Sequence, residues 1–258
     1  MKVTPVPCYA DNYAYLVESA DGTCRVVVDA SEGPPVLTAL DGGGGTLTAI
    51  LATHHHGDHV DGNRDLLARF PGTPVYGHAS DRGRIPGQTE YLEDGATFSL
   101  GPLTIRALHV PGHTTGALTY VVTEGAEPAA AFTGDTLFAA GCGRLFEGTP
   151  ADMTRSLGKL AALPPETRVY CGHEYTESNL RFAAHAEPSN AAVEAKVAEA
   201  AALRAEGRPT VPSTIGSELA TNPFFRTGEP ELRNTFGIPA GADAAEALRV
   251  VREAKNTF

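Results

Sequence analysis

Residues 46–53 form an apolar run that ends in Thr53-His54-His55-His56-Gly57-Asp58-His59. Four imidazoles and a carboxylate within six residues, placed where a buried strand ends, constrain the fold more than any other feature of the chain. Imidazole and carboxylate are ligands for zinc, iron or manganese. If the backbone stays extended, His54 and His56 project to the same side. Asp58 and His59, beyond Gly57, then address a second position. The competing explanation is a solvated histidine-rich loop.

Three further candidates follow glycine at the ends of apolar runs. They are His113 in Val110-Pro111-Gly112-His113-Thr114, Asp135 in Thr133-Gly134-Asp135-Thr136 and His173 in Cys171-Gly172-His173-Glu174. Glycine lets a chain turn sharply and approach its neighbours closely, which suits a strand that must present a ligand at a sheet edge. Each alone reads as a turn residue. Added to the first cluster they bring the donors to about seven, what two four-coordinate ions need if one carboxylate and one water are shared.

The rest of the first two thirds reads as short strands broken by Gly/Pro turns. Residues 13–17 and 24–28 flank the turn 19–23 and predict a hairpin. Further strands are expected at 46–53 (after the glycine punctuation at 42–45), 103–110, 118–123, 129–133 and 168–171. Helices are expected over 63–70 and from Thr149-Pro150-Ala151-Asp152, which supplies an N-cap, a proline at the first helical position and an acid in the first turn. After Gly172 the texture becomes helical. An alanine-rich helix over 189–206 takes Ser189 or Asn190 as its cap, a proline-punctuated loop covers 208–213, and 243–255 predicts a closing helix.

The formal net charge of −11 argues against a general nucleic-acid or membrane-surface binder, since phosphate binding needs basic faces. No window approaches the roughly 18 apolar residues of a membrane span, and residues 1–15 show no secretory signal. The four cysteines (Cys8, Cys24, Cys142, Cys171) form no CxxC pair. They imply a reduced cytoplasmic protein with free thiols.

The ordered set HxHxDH, His113, Asp135 and His173 resembles the metallo-β-lactamase superfamily. The resemblance implies an α+β fold, the αββα sandwich. It also implies two divalent metal ions, zinc first and iron or manganese as alternatives. By the superfamily pattern, His54, His56 and His113 hold one ion and Asp58, His59 and His173 the other, with Asp135 bridging them. His55 is expected to point away from the ions, Cys171 to be a buried small residue rather than a ligand, and His78, His109 and His185 to be structural or solvated.

Four other segments resemble glyoxalase II, the hydroxyacylglutathione hydrolases. These are the loop Ala140-Gly141-Cys142-Gly143-Arg144-Leu145-Phe146-Glu147-Gly148, the motif Gly172-His173-Glu174-Tyr175-Thr176, the stretch Ala220-Thr221-Asn222-Pro223-Phe224-Phe225-Arg226, and the ending Arg252-Glu253-Ala254-Lys255-Asn256-Thr257-Phe258. The resemblance implies a catalytic domain over 1–174 and a helical substrate-binding domain over 175–258. It implies a small-molecule partner, a glutathione thioester, with no nucleic acid or membrane partner and a monomeric enzyme. Arg144, Tyr175, Arg252 and Lys255 would line the glutathione site. Arg252 and Lys255 are three apart on a predicted helix and share a face, so together they can grip carboxylates, although cations at a helix C-terminus also complement its dipole. The chain departs from the family pattern in carrying Arg144 for a lysine, Phe146 for a tyrosine and Asn256 for an acid.

The implied reaction is hydrolysis of S-(2-hydroxyacyl)glutathione, with Asp58 and Asp135 as catalytic residues alongside a hydroxide that bridges the ions. The nearest alternatives are a glutathione persulfide dioxygenase, which uses one iron, and a lactonase. An inactive scaffold is opposed by the complete ligand set, and an RNA-processing nuclease by the charge.

Overall fold

The chain opens with three strands, β1 (Lys2–Cys8), β2 (Asn12–Glu18) and β3 (Arg25–Val28), paired antiparallel in order. The hairpin expected around residues 19–23 is β2–β3, with Tyr15 opposite Val28. Its turn is held by the Asp21 carboxylate, which accepts from the Ser19 hydroxyl at 2.6 Å and the Thr23 N–H at 3.0 Å, the local side-chain bonding that favours Asp in turns. The computed structural model describes residues 1–42 and 45–258, so Gly43 and Gly44 of the glycine run lie outside the described residues.

Helix α1 (Gly33–Asp41) leads to β4 (Ala49–Leu51), followed by α2 (Gly57–Val60), α3 (Asn63–Arg69), β5 (Val75–His78) and β6 (Glu90–Leu92). β4, β5 and β6 join β3 in parallel and complete a six-stranded mixed sheet in chain order. β7 (Thr97–Leu100), β8 (Leu103–His109), β9 (Leu118–Thr123) and β10 (Ala130–Gly134) then form an antiparallel run. The run expected over 46–53 is regular strand only at Ala49–Leu51. The Thr53 N–H is taken by the side chain of Asp29 at 2.7 Å, which ends ladder pairing just before the histidines.

All of these elements lie in a unit comprising Met1–His109 and Gly116–Gly134. Because β side chains alternate between faces, β2 is buried on both. Ala14 and Leu16 join Val27, Ile50 and Val75 in a cluster with Val36 and Leu40 of α1 and Leu66 of α3. Tyr15, on the opposite face, meets Phe132 of β10 with ring centroids 5.5 Å apart. Tyr76 stacks on Phe98 of β7 at 4.5 Å, and the Tyr120 hydroxyl donates to the Ala52 carbonyl at 3.0 Å. Two sheets thus face each other, with helices on the far side of the first. This explains why β2, β3 and β4 read as continuous apolar runs. β8 instead alternates, with Leu103, Ile105 and Ala107 buried and Thr104 and Arg106 exposed, as expected of a strand covered on one face.

The second unit comprises Val110–Thr115 and Asp135–Phe258. β11 (Leu137–Phe138) pairs with β12 (Gly141–Cys142), and α4 (Pro150–Ala161) starts with a reciprocal capping box between Thr149 and Asp152. β13 (Arg168–Cys171) precedes α5 (Thr176–Ala186) and α6 (Ala191–Ala205), the latter capped by the Asn190 side chain as foreseen. β14 (Ser213–Thr214) pairs antiparallel with β13, so the helical C-terminal stretch carries one strand that sequence periodicity does not signal in two residues. α7 (Ile215–Thr221), α8 (Pro230–Thr235) and α9 (Ala244–Thr257) follow, and Asp243 caps α9 by accepting from the Glu246 N–H. Mixed sheets and a helical end make the chain α+β. Among the described residues no helix is long and apolar enough to cross a membrane.

The four cysteines are free and buried. Burial pushes the Cys142 thiol up to about 11 and the Cys171 thiol up to about 12, so both stay protonated and unreactive at neutral pH. A thiol-reactive aromatic disulfide at pH 8 is expected to label the native protein slowly, and to count four thiols per chain only in denaturant. Fast labelling of the native protein would contradict this burial. Truncating Ile105 to alanine is expected to cost about 2–5 kcal/mol. The exposed neighbour Arg106→Ala should stay within about 0.5 kcal/mol. Denaturant midpoints of the two variants test the assignment of faces.

Candidate metal centre

In the first unit the cluster is organised by a carboxylate that the sequence reading passed over. Asp29 follows directly on β3, is 2% exposed and has φ +51°, a conformation rare for residues with a side chain and found where surroundings enforce it. Its Oδ1 accepts the Thr53 N–H at 2.7 Å. Its Oδ2 accepts the Thr53 hydroxyl at 2.7 Å and His59 Nδ1 at 2.8 Å. Because its own O–H is donated to Asp29, the Thr53 hydroxyl accepts from His54 Nδ1 at 3.0 Å. Both imidazoles are thereby fixed as Nδ1–H tautomers, with Nε2 carrying the lone pair that a metal takes. Carboxylates and hydroxyls behind metal-binding histidines serve this purpose.

The chain bends at Thr53 and His54 rather than staying in regular strand, and His56, the residue preceding α2, is extended again at φ −61° and ψ 142°. His54 Nε2 and His56 Nδ1 come within 3.2 Å, so the two rings do share a side. α2 then turns Asp58 and His59 into place, with His59 Nε2 3.9 Å from Asp58 Oδ2. Asn12 donates from Nδ2 to both the Asp58 carboxylate at 3.0 Å and the Asp58 carbonyl at 3.1 Å. His55 has other partners: its Nδ1 lies 3.2 Å from Asp81 Oδ1, and Arg84 bonds its Nε2. His78 and His109 stack on each other at 4.1 Å.

In the second unit His113, Asp135 and His173 meet. Asp135 Oδ2 lies 3.4 Å from His113 Nε2 and 3.4 Å from His173 Nε2. His113 Nδ1 donates to the Arg144 carbonyl at 2.9 Å, which again puts the ring lone pair on Nε2. The His173 ring stacks on Tyr175 at 4.7 Å, and Phe138 meets both edge-on. His185, by contrast, packs against Phe236 and Phe258. Two of the three glycines before the candidate ligands are needed where expected: Gly112 has φ +155° with Met153 3.0 Å from where a Cβ would stand, and Gly134 has φ +48° with Thr53 at 2.3 Å.

The donor spacing tests whether these residues suit a metal. Atoms about 2.0–2.1 Å from one tetrahedral ion stand about 3.3–3.4 Å apart. The two Asp135 distances of 3.4 Å and the His54–His56 distance of 3.2 Å match that edge. They exceed the usual lengths of charge-assisted hydrogen bonds, about 2.7–2.9 Å. Nitrogen and carboxylate oxygen are the donors of zinc, iron and manganese. The set fits a metal.

The expected substrate residues gather in the second unit. Arg252, 7% exposed, donates to the Cys142 carbonyl at 2.6 Å and so ties α9 to the loop that carries the exposed Arg144. That loop is gripped from below by the buried Glu218 carboxylate, which accepts from the Ala140 N–H at 2.8 Å and from Asn222 at 2.9 Å. Lys255 donates to the Ser178 carbonyl at 3.2 Å, in the first turn of the helix that Tyr175 precedes. Burial, and the charges of Arg252 and Arg181 beside it, hold the Lys255 ammonium below the usual lysine value. Phe146 is 64% exposed, with its ring edge-on to His113 at 5.2 Å.

Residues 11–173 match the metallo-β-lactamase superfamily, and residues 174–258 match the hydroxyacylglutathione hydrolase C-terminus. The chain is 48% identical over 258 residues to a hydroxyacylglutathione hydrolase of Methylococcus capsulatus, covering 100% of this chain and 99% of that protein. It is 50% identical over 253 residues to one of a Synechococcus species, with 98% and 99% covered. Among solved structures, ETHE1 from Myxococcus xanthus superposes with a TM-score of 0.67 at 22% identity, covering 100% of this chain and 99% of that one. A protein crystallised in a di-iron-bound form superposes with a TM-score of 0.58 at 30% identity, covering 86% and 99%. The chain belongs to the hydroxyacylglutathione hydrolase family of the metallo-β-lactamase superfamily.

Proposed function

We propose that this enzyme is a binuclear metal-dependent thioester hydrolase that cleaves S-(2-hydroxyacyl)glutathione, S-D-lactoylglutathione included, to glutathione and a 2-hydroxy acid. The observation that carries the reading is the Asp135 oxygen at 3.4 Å from both His113 Nε2 and His173 Nε2, the spacing of ligands rather than of hydrogen-bonded pairs. The substrate class is that named for the relatives.

On this reading His54, His56 and His113 would hold one ion and Asp58, His59 and His173 the other, with Asp135 shared between them. Zinc is the first candidate, with iron and manganese accepted by the same donors. Bound there, divalent ions lower the pKa of water and act as Lewis acids on an acyl carbonyl. Asp58 and Asp135 orient the attacking oxygen towards the thioester carbon. The departing thiolate belongs to a thiol of ordinary pKa, about 8.5, so it leaves without a protein acid. Arg252 and Lys255 receive the glutathione carboxylates, with Arg144 and Tyr175 beside them. Residues 1–174 serve as the catalytic domain and 175–258 as the substrate-binding domain. Four buried free thiols suit a reducing cytoplasm.

His54→Ala and Asp135→Ala are each expected to reduce thiol release from S-D-lactoylglutathione below detection and to lower the metal content of the purified protein. Full activity in a variant with verified metal content would overturn the assignment. Lys255 should set an alkaline limit on binding. Its pKa is depressed, so its positive charge is lost as pH rises through a value below the usual lysine range, and KM should climb there while kcat holds. Lys255→Gln should raise KM roughly 10–100-fold, the equivalent of one charge-assisted hydrogen bond, and flatten that limb. A KM–pH profile unchanged by the substitution would remove Lys255 from the site.

A further inference from the structure

We infer that Asn12 is a positioning residue that fixes Asp58 as a ligand to one ion, an inference that rests on the ligand assignment proposed above. Asp58 is poorly held by its own element. α2 has four residues, too few for a helix to be stable by itself, and the Asp58 side chain is 45% exposed. Ordering an exposed side chain on ion binding costs conformational entropy. Asn12 removes that freedom. Its amide has two N–H groups, and Nδ2 reaches both the Asp58 carbonyl at 3.1 Å and Asp58 Oδ2 at 3.0 Å. Main chain and side chain of one residue are thereby pinned by one donor group.

Asn12 is itself rigidly placed. It is 5% exposed and lies at the first position of β2, opposite Cys8 where the β1–β2 ladder closes. The turn between these strands is held in an unusual shape. Tyr9 takes φ +47°, a strained conformation for an aromatic residue. Its N–H donates to Glu32 Oε2 at 2.9 Å, and its hydroxyl reaches Asp61 Oδ2, just beyond α2, at 3.5 Å. The turn is thus fastened to the residue preceding α1 and to the end of α2. A buried amide could serve only to close a hairpin, but its two bonds would then go to the hairpin's own backbone. Here both go to Asp58, 46 residues away.

The test uses the full chain stripped of metal and titrated with zinc against a chromogenic chelator, which resolves the two binding steps. Asn12→Ala is expected to leave the tighter step within about twofold and to weaken the other by about 10–100-fold, the usual effect of losing a hydrogen bond behind a ligand. The isosteric Asn12→Asp, which loses the donor and sets a second carboxylate beside Asp58, should do the same and guards against misfolding of the smaller variant. Melting temperatures of both metal-free variants accompany the titrations. Two unchanged steps, or two steps weakened equally together with a lowered metal-free melting temperature, would overturn the inference and leave Asn12 a structural amide. Asp58→Ala is the separate control. If it still binds two zinc ions, the ligand assignment fails; if it loses one while the Asn12 variants keep both, only the role of Asn12 fails.

Discussion

In the first unit the candidate ligands depend on the Asp29 carboxylate. Buried directly after β3, it gathers the Thr53 amide, the Thr53 hydroxyl and the His59 ring, and through the hydroxyl it reaches His54. A buried carboxylate is costly unless its lone pairs are satisfied, and here the groups that satisfy it also set the tautomers of two candidate ligands, His54 and His59. Stability and ligand geometry are therefore one arrangement. The left-handed backbone at Asp29 belongs to the same design, since strain of this kind persists only where neighbouring bonds over-determine it. In the second unit His113 follows the same logic with a different partner, the Arg144 carbonyl.

Much of this was legible in the sequence because it is written in local pattern. The β2–β3 hairpin, the Thr149 cap, the Asn190 cap and the strands at 118–123 and 168–171 rest on neighbours within a few residues, and they appear within a residue or two of expectation. Seven ligand candidates were readable because imidazoles and carboxylates at strand ends are chemically conspicuous. What escaped was set by tertiary contact. α5 begins after Tyr175, which is no capping residue, although Leu180, Ala183 and Phe182 face the core along it. β14 is two residues long and exists only as a partner of β13. Asp29 and Asn12 lack a motif: their bonds run 24–46 residues along the chain. A trace of signal was present at Asp29, an acid closing the run Val26-Val27-Val28, where burial of a charge demands a partner.

His55 illustrates how an expectation can be right in direction and incomplete in content. Lying between two expected ligands, His54 and His56, it was expected to face away. It does turn to Asp81 and Arg84, but those contacts give it work: Asp81 is fully buried and pressed against Gly116, where a Cβ would meet its carboxylate at 2.5 Å. A histidine held on the back of the run restricts the backbone from which His54 and His56 project forward. The run is thus clamped on both sides, by Asp29 through Thr53 and by Asp81 through His55.

The cations of α9 present the sharpest choice between a local and a distant cause. Basic residues in a helix's last turn stabilise it through the dipole by about 0.3–1 kcal/mol, and that alone could account for Arg252 and Lys255 in the sequence. The dipole explanation predicts side chains in solvent or bonded to the helix's own last carbonyls. Arg252 instead lies with Ala247, Leu248 and Val251 on the buried face and donates to Cys142, while Lys255 donates to Ser178 on another helix. Burying a guanidinium and crowding it with Lys255 and Arg181 is unfavourable by itself, as the depressed Lys255 shows. In a chain of net charge −11, such a local concentration of positive charge answers to something other than helix stability, and an anionic ligand is what would offset it.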